Sequence, residues 1–196
     1  KQMAFDGQSL WIDSHINLIH SFDTRNQEFT GYQSDFYNYD RSYLKLKAAQ
    51  IPSRFRINQL YAAEQKIFFL TDKELFFKTP TSDNFYSIDN SAYQAITYKP
   101  KSDQYWLGSE SRLFILNQDM KLKHINTTPN NERIISLSNF NSNDLLVATP
   151  KEMLIYDLGR NTWVKRDAWT LYNSDERRIL QNIAIDKKQT IIIHPK

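Results

Sequence analysis

LWIDSHINLIHS, beginning at Leu10, is the first of four twelve-residue stretches that share one pattern without gaps. IFFLTDKELFFK begins at Ile67, YWLGSESRLFIL at Tyr105 and LLVATPKEMLIY at Leu145. Each opens on a large apolar triplet and carries a small hydroxyl residue at its fifth position: Ser14, Thr71, Ser109 and Thr149. Three mostly polar positions follow, and then Leu18, Leu75, Leu113 or Met153 leads a second apolar run. A truncated fifth copy, TIIIHP, occupies Thr190 to Pro195. Self-similarity of this kind marks a repeat architecture, in which one supersecondary unit buries its faces only against its neighbours.

Successive copies start 57, 38 and 40 residues apart, and the apolar run of the fifth begins 46 residues after the fourth. A period of about 40 residues is the length of one four-stranded propeller blade. The third unit divides accordingly, with strands expected over 95–98, 105–109, 112–117 and 121–125, separated by short polar breaks. Middle runs such as Ile67-Phe68-Phe69-Leu70 and Leu113-Phe114-Ile115-Leu116 are apolar at every position, as strands covered on both faces must be. Last runs alternate instead, as in Lys121-Leu122-Lys123 and Glu28-Phe29-Thr30, which suits an outermost strand with one wet face and a free edge. The recurring Ser/Thr is expected to bond backbone groups at the turn between the two middle strands. A β-sandwich also uses short strands at regular spacing, but it does not require one motif to return every fortieth residue.

The expected fold is therefore all-β: a β-propeller of about four to five four-stranded blades, forming part of a larger propeller. The units fall at approximately 3–33, 57–89, 95–126 and 133–167, with a partial unit at 179–196, in a single propeller region spanning 1–196. Insertions at 34–55 and 168–181 break the rhythm; a short helix or an extended loop on the rim is expected at each, and both are candidate contact surfaces.

Composition narrows the functional classes. Aromatic residues make up 14% of the 196, which suits blade packing, while glycine occurs only four times. Tight turns must then rely on Asn, Asp, Ser and Pro, as in Asn141-Ser142-Asn143-Asp144. The absence of cysteine removes disulfides and thiolate chemistry. No apolar stretch approaches the roughly 20 residues of a membrane-spanning helix, and no signal peptide is visible. The start at Lys1 and the short fifth unit lead to the expectation of a piece of a longer protein, with any membrane segment outside it. A net charge of +3, with basic clusters no longer than Lys45-Leu46-Lys47, Arg177-Arg178 and Lys187-Lys188, argues against a nucleic-acid partner.

Catalytic patterns are absent: there is no Gly-x-Ser-x-Gly elbow, phosphate-cradling glycine loop or His-Glu-x-x-His zinc pattern. His15, His20, His124 and His194 are far apart and read as surface or rim residues. Glu74, Glu110 and Glu152 fall in polar turns, and Asp175-Glu176-Arg177-Arg178 reads as a solvated segment. No catalytic, metal or cofactor residue is assigned, and no cofactor is expected. Trp11 and Trp106 occupy the second motif position and are expected in the core, whereas Trp163 and Trp169 are expected to be exposed. Phe36-Tyr37-Asn38-Tyr39 with Tyr43 is either an aromatic platform for a sugar or peptide or, on the plainer reading, loop packing on the rim.

The motif resembles the two-component regulator propeller repeat, which reads approximately L-W-I-G-T, a short turn, G-L, and an acidic or amide residue before a strand. Tyr105-Trp106-Leu107-Gly108-Ser109, Leu113-Phe114 and Asn117 carry the likeness best. Ser9-Leu10-Trp11-Ile12-Asp13-Ser14 with Phe22-Asp23, and Asn143-Asp144-Leu145-Leu146-Val147-Ala148-Thr149 with Tyr156-Asp157, are further copies; the copy at Ile67 is weaker. The family's turn glycines are replaced here by other residues. The resemblance implies a periplasmic or otherwise extracytoplasmic sensor region of a hybrid histidine kinase. Its implied partners are an oligosaccharide or other small ligand, a neighbouring propeller or linker domain, and a second copy in a homodimer. The phospho-accepting histidine of such a kinase would lie elsewhere. A protein-interaction scaffold is the second expectation, and a glycan-active enzyme with paired carboxylates the third.

Overall fold

The computed structural model describes residues 2–14, 18–33, 45–48, 55–82, 84–164, 180–185 and 191–195. Among these there are nineteen strands and no helix. Strands β1 (Met3–Phe5), β2 (Ser9–Ser14), β3 (Leu18–Asp23), β4 (Glu28–Gln33) and β5 (Lys45–Ala48) form the first sheet. The second contains β6 (Ile57–Ala63), β7 (Lys66–Thr71), β8 (Leu75–Lys78) and β9 (Tyr86–Asp89). The third contains β10 (Ala95–Lys99), β11 (Gln104–Ser109), β12 (Arg112–Leu116) and β13 (Leu122–Thr127). The fourth contains β14 (Ser136–Asn139), β15 (Asp144–Ala148), β16 (Met153–Asp157) and β17 (Thr162–Val164); β18 (Leu180–Ile185) and β19 (Ile191–Pro195) pair as a fifth. In the first four sheets the motif supplies the second and third strands, and within each the first four strands follow chain order as an antiparallel meander. This is the all-β, bladed organisation that the repeat predicts.

The chain divides into two compact units, Lys1–Ala92 and Tyr93–Lys196. In the first unit Trp11, Ile19 and Tyr32 of the first sheet share a core with Ile57, Leu60, Ile67, Phe69, Phe76 and Phe85 of the second sheet and its loops. Trp11 stacks on Tyr32 and meets Phe69 edge-on, both with ring centroids 5.6 Å apart, and Phe69 stacks on Phe76 at 5.0 Å. Ile67 to Leu70 are fully buried, so both faces of β7 are covered, as its unbroken apolar run requires. Lys78 is also buried; its Nζ donates to the Thr79 carbonyl at 3.3 Å and lies 5.8 Å from the Tyr32 ring centre, where the aromatic face favours the cation.

In the second unit Trp106 and Leu113 of the third sheet share a core with Leu145, Val147, Leu154 and Tyr156 of the fourth. Leu146, Ala148, Met153 and Ile155 form a separate cluster on the other face of the fourth sheet. Gly108 packs directly against Ile134, in the segment that leads into β14. A Cβ there would come within 2.5 Å of Ile134 Cγ2 and 2.9 Å of its Cβ, so any side chain would push β11 and the entry to β14 apart.

Three features depart from the sequence reading. First, β4 is not an edge: β5 pairs with it in parallel, from Thr30 opposite Lys45 to Gln33 opposite Ala48. The expected 34–55 insertion therefore contains a strand; the rest of 34–54 lies outside the described residues, as does 168–181 apart from Leu180 and Gln181 in β18. Second, the hairpins differ in register. Leu70–Leu75, Gly108–Leu113 and Ala148–Met153 pair the fourth motif position with the ninth, whereas Ser14–Leu18 pairs the fifth with the ninth. A one-residue slip turns side chains to the opposite face. Third, left-handed turn positions are filled by Gln27, Glu64, Gln65, Asp103, Glu110, Met120, Asn131 and Asn161. Only three of these are Asn or Asp, so the expected turn chemistry describes part of the set.

Candidate functional face

In the second and fourth sheets the fifth motif residue ties the turn at one end of the blade. Thr71 is fully buried; its Oγ1 donates to the Glu74 carbonyl at 2.8 Å and accepts from the Glu74 and Lys73 amides at 2.9 and 3.2 Å. Thr149 repeats the set, donating to Glu152 O at 3.0 Å and accepting from the Glu152 and Lys151 amides at 3.1 and 3.3 Å. One hydroxyl thus satisfies three backbone groups at a two-residue bend, as expected from the sequence, and it holds the polar turn residues facing outward.

In the second unit these turns join the linking segment into one polar rim. Glu110 closes β11–β12; its amide donates to Gln94 Oε1 at 2.9 Å and its carbonyl accepts from Ile134 N at 2.6 Å. The Ser111 carbonyl accepts from Thr128 N at 2.8 Å, and Thr128 Oγ1 donates to the Glu132 carbonyl at 2.8 Å. Residues 128–135 are thereby tied to the turn of the third sheet. The same segment reaches the turn of the fourth: Asn130 Nδ2 donates to Glu152 Oε1 at 3.0 Å, and Lys151 Nζ lies 2.6 Å from Glu132 Oε1. That ion pair is surface-exposed on the lysine side and contributes no more than about 1 kcal/mol. The rim thus brings together the carboxylates of Glu132 and Glu152, the Asn130 amide and the Lys151 ammonium.

The opposite end of the second unit is held by Lys99. This residue is almost fully buried, and its ammonium donates to the carbonyls of Asn141 and Asp144 in the β14–β15 hairpin, the latter at 3.0 Å. Burial pushes its pKa below the ordinary lysine range; the nearby Asp144 charge opposes this and Lys101 adds to it. Asn139 Nδ2 donates to the Tyr98 carbonyl beside it. Neither contact was legible in the sequence, where Tyr98-Lys99-Pro100 offers only a strand end before a turn.

The residues singled out in the sequence distribute as follows. Trp11 and Trp106 are in the core, as expected; the Trp11 indole donates to Asp6 Oδ2 at 2.7 Å. Trp163 is not exposed: it is half-buried, packs edge-on against Tyr156 at 4.8 Å and donates to the Thr127 carbonyl at 2.8 Å. The β17 strand lies close enough to β13 for that bond to hold the ring down. His124 is exposed on β13, edge-on to Phe114 at 5.4 Å, with Nε2 3.4 Å from Thr127 Oγ1. His20 lies on β3 and His194 on β19. Glu110 is exposed, and Glu74 and Glu152 are half-buried at their turns. No group of three or more metal-ligating side chains converges among the described residues. His15, Trp169, the 175–178 segment and the aromatic run with Tyr43 lie outside those residues.

No family model matches the chain, and no curated protein matches it. Solved structures do. The extracellular domain of BT4673 from B. thetaiotaomicron, assigned to a one-component system, is 19% identical with a TM-score of 0.73, covering 98% of this chain and 25% of that domain. Virginiamycin B lyase from Staphylococcus aureus is 12% identical with a TM-score of 0.65, covering 97% of this chain and 61% of the lyase. The WD40 domain of Neurospora crassa Pan2 is 15% identical with a TM-score of 0.58, covering 86% of this chain and 49% of that one. The chain therefore spans about a quarter of the BT4673 domain. Together with the four-stranded sheets, these likenesses establish the fold as β-propeller blades. At such identities they speak to fold alone, because one fold hosts many functions.

Proposed function

We propose that residues 1–196 form a non-catalytic, extracytoplasmic sensor region of a bacterial two-component signalling protein, binding a polar ligand, with oligosaccharides as the first candidate class, and taking part in dimerisation. The observation that carries this reading is the agreement over 98% of the chain with the extracellular domain of BT4673, a protein assigned in a second structure to a hybrid two-component system. The resemblance of the repeat itself, quoted above from Tyr105 to Asn117, supports the same class from sequence. The polar rim around Glu110, Asn130, Glu132, Lys151 and Glu152 offers both donors and acceptors, which a hydroxyl-rich ligand would use.

A thermal-shift screen of the chain against a panel of oligosaccharides, with unrelated small molecules as controls, tests it. Only a ligand that favours the folded state raises the melting temperature, and 100-fold excess over Kd contributes about 2.7 kcal/mol. A saturable rise with one glycan class is the expected result. A flat response from a sample that melts cooperatively would shift the reading to a protein-interaction propeller.

A further inference from the structure

Trp11 and Trp106 hold the same motif position, yet the polar group beside each is of opposite kind. In the first sheet Ala4 lies opposite Trp11, and Asp6, two residues beyond Ala4, accepts the indole N–H at Oδ2, 2.7 Å away. In the third sheet Thr97 lies opposite Trp106, and the residue two beyond it is Lys99. Side chains two apart on a strand share a face, so Lys99 stands where Asp6 stands. An ammonium donates and cannot accept, and Lys99 gives its N–H groups to the carbonyls of Asn141 and Asp144. Trp106 is only 4% exposed, and its Nε1 is buried with no hydrogen-bond partner among the described residues. A buried indole N–H usually finds one.

The complementary atom is on the facing sheet. Asn139 lies opposite Leu145, and Leu145 opposite Tyr156, so these three share the face of the fourth sheet that packs on Trp106. The Trp106 and Tyr156 rings are 6.0 Å apart. Asn139 Nδ2 donates to the Tyr98 carbonyl at 2.6 Å, which sets the amide beside the strand end that carries Thr97 and Lys99. Its Oδ1 is buried and, like Trp106 Nε1, has no partner among the described residues. The seam between the two sheets of this unit therefore holds one spare donor and one spare acceptor, on opposing sides. Apolar packing satisfies neither, whereas a molecule that both accepts and donates satisfies both.

We propose that a single buried water bridges the third and fourth sheets at this seam, accepting from the Trp106 indole N–H and donating to Asn139 Oδ1. Lys99 has three N–H donors and places two on carbonyls, so the third is available to the same water oxygen. Three bonds is the usual complement of a buried water. The mixed polarity selects against other small occupants: the Asn139 oxygen repels an anion, and the indole N–H and the ammonium repel a cation. The first sheet needs no such water, because Asp6 takes the indole directly. The inference is independent of what the rim binds.

Nuclear magnetic resonance of the 196-residue chain, with its tryptophan indoles isotope-labelled, tests this. Selective inversion of the water signal shows which indole N–H groups touch a held water, and rotating-frame cross-peaks separate that contact from proton exchange by their sign. Trp106→Phe assigns the signal. The expected result is a water contact at Trp106 and none at Trp11, whose N–H is bonded to Asp6. Asn139→Leu removes the acceptor and should abolish the Trp106 cross-peak. A Trp106 indole with no water contact would overturn the proposal, and so would a cross-peak that persists undiminished in a folded Asn139→Leu protein. Melting curves establish whether that variant folds; if it does not, the parent spectrum decides alone, with Trp11 as its internal reference.

Discussion

Small polar groups at turns carry stability out of proportion to their size. Thr149 is fully buried and its hydroxyl bonds three backbone groups, so Thr149→Val keeps the shape while leaving the Glu152 amide without that partner; the Glu152 carbonyl keeps the Thr149 amide as its donor. An unsatisfied buried group costs about 1–3 kcal/mol, and urea denaturation should show a loss in that range for Thr149→Val and a much smaller one for Thr149→Ser. Equal losses would show that the hydroxyl is merely tolerated. Gln65 argues the opposite direction. Glu64 and Gln65, at φ of 49° and 55°, form a two-residue turn between Ala63 and Lys66 in which both central residues are left-handed. That conformation costs a residue with a Cβ about 1–2 kcal/mol. Glycine there adds unfolded-chain entropy worth about 0.5–1 kcal/mol against it. Gln65→Gly should therefore raise the denaturation midpoint modestly, by up to about 1 kcal/mol, and a lowered midpoint would refute the strain argument.

At the scale of elements, the strands were legible because the repeat and the burial pattern agree. A strand covered on both faces must be apolar throughout, and Ile67–Leu70 and Leu145–Ala148 announce themselves in that way. What escaped is what depends on partners distant in the chain. Nothing in Lys45-Leu46-Lys47-Ala48 names β4 as its neighbour, and the register slip of the first hairpin depends on a single residue of turn length. Because of that slip, Ile19 and Phe76, both at the tenth motif position, meet in one core although they come from opposing sheets. The candidate rim was visible only as scattered Glu, Asn and Lys in separate turns; the backbone bonds through Thr128 and Ile134 that gather them are invisible to pattern. Lys99 likewise joins two elements that sequence does not pair. Its folded pKa lies below the ordinary 10.5, so between those two values the unfolded chain binds the extra proton and stability rises with pH. Tyr156 acts in the opposite sense: burial raises its pKa, against a smaller lowering by Asn126, so its contribution declines as pH climbs past the ordinary 10.0. Lys99→Met should be less stable than the parent at neutral pH through loss of its two carbonyl contacts, and should lack the alkaline gain that the parent shows before tyrosine ionises. Stability–pH curves for the two proteins that run parallel up to pH 10 would contradict this.

For the whole molecule the decisive quantity is how little of the folding free energy one core can lose. Domains of this size are stable by about 5–15 kcal/mol, whereas truncating a fully buried phenylalanine to alanine costs about 3–5 kcal/mol. Phe69 is such a residue: it stacks on Phe76 at 5.0 Å and meets Trp11 and Phe85 at 5.6 and 5.5 Å, so its removal strips contacts from both sheets of the first unit at once. Tyr86 offers the contrast within the same sheet, for it packs on Phe77 at 5.3 Å but is 42% exposed on the outermost strand. If inter-sheet burial is what makes the repeat fold, Phe69→Ala should cost several times more than Tyr86→Ala, for which about 1 kcal/mol is expected from one half-buried aromatic contact. Chemical denaturation followed by far-ultraviolet circular dichroism gives both values. Comparable costs would mean that the sheets are held chiefly by their own ladders and not by the aromatic core between them.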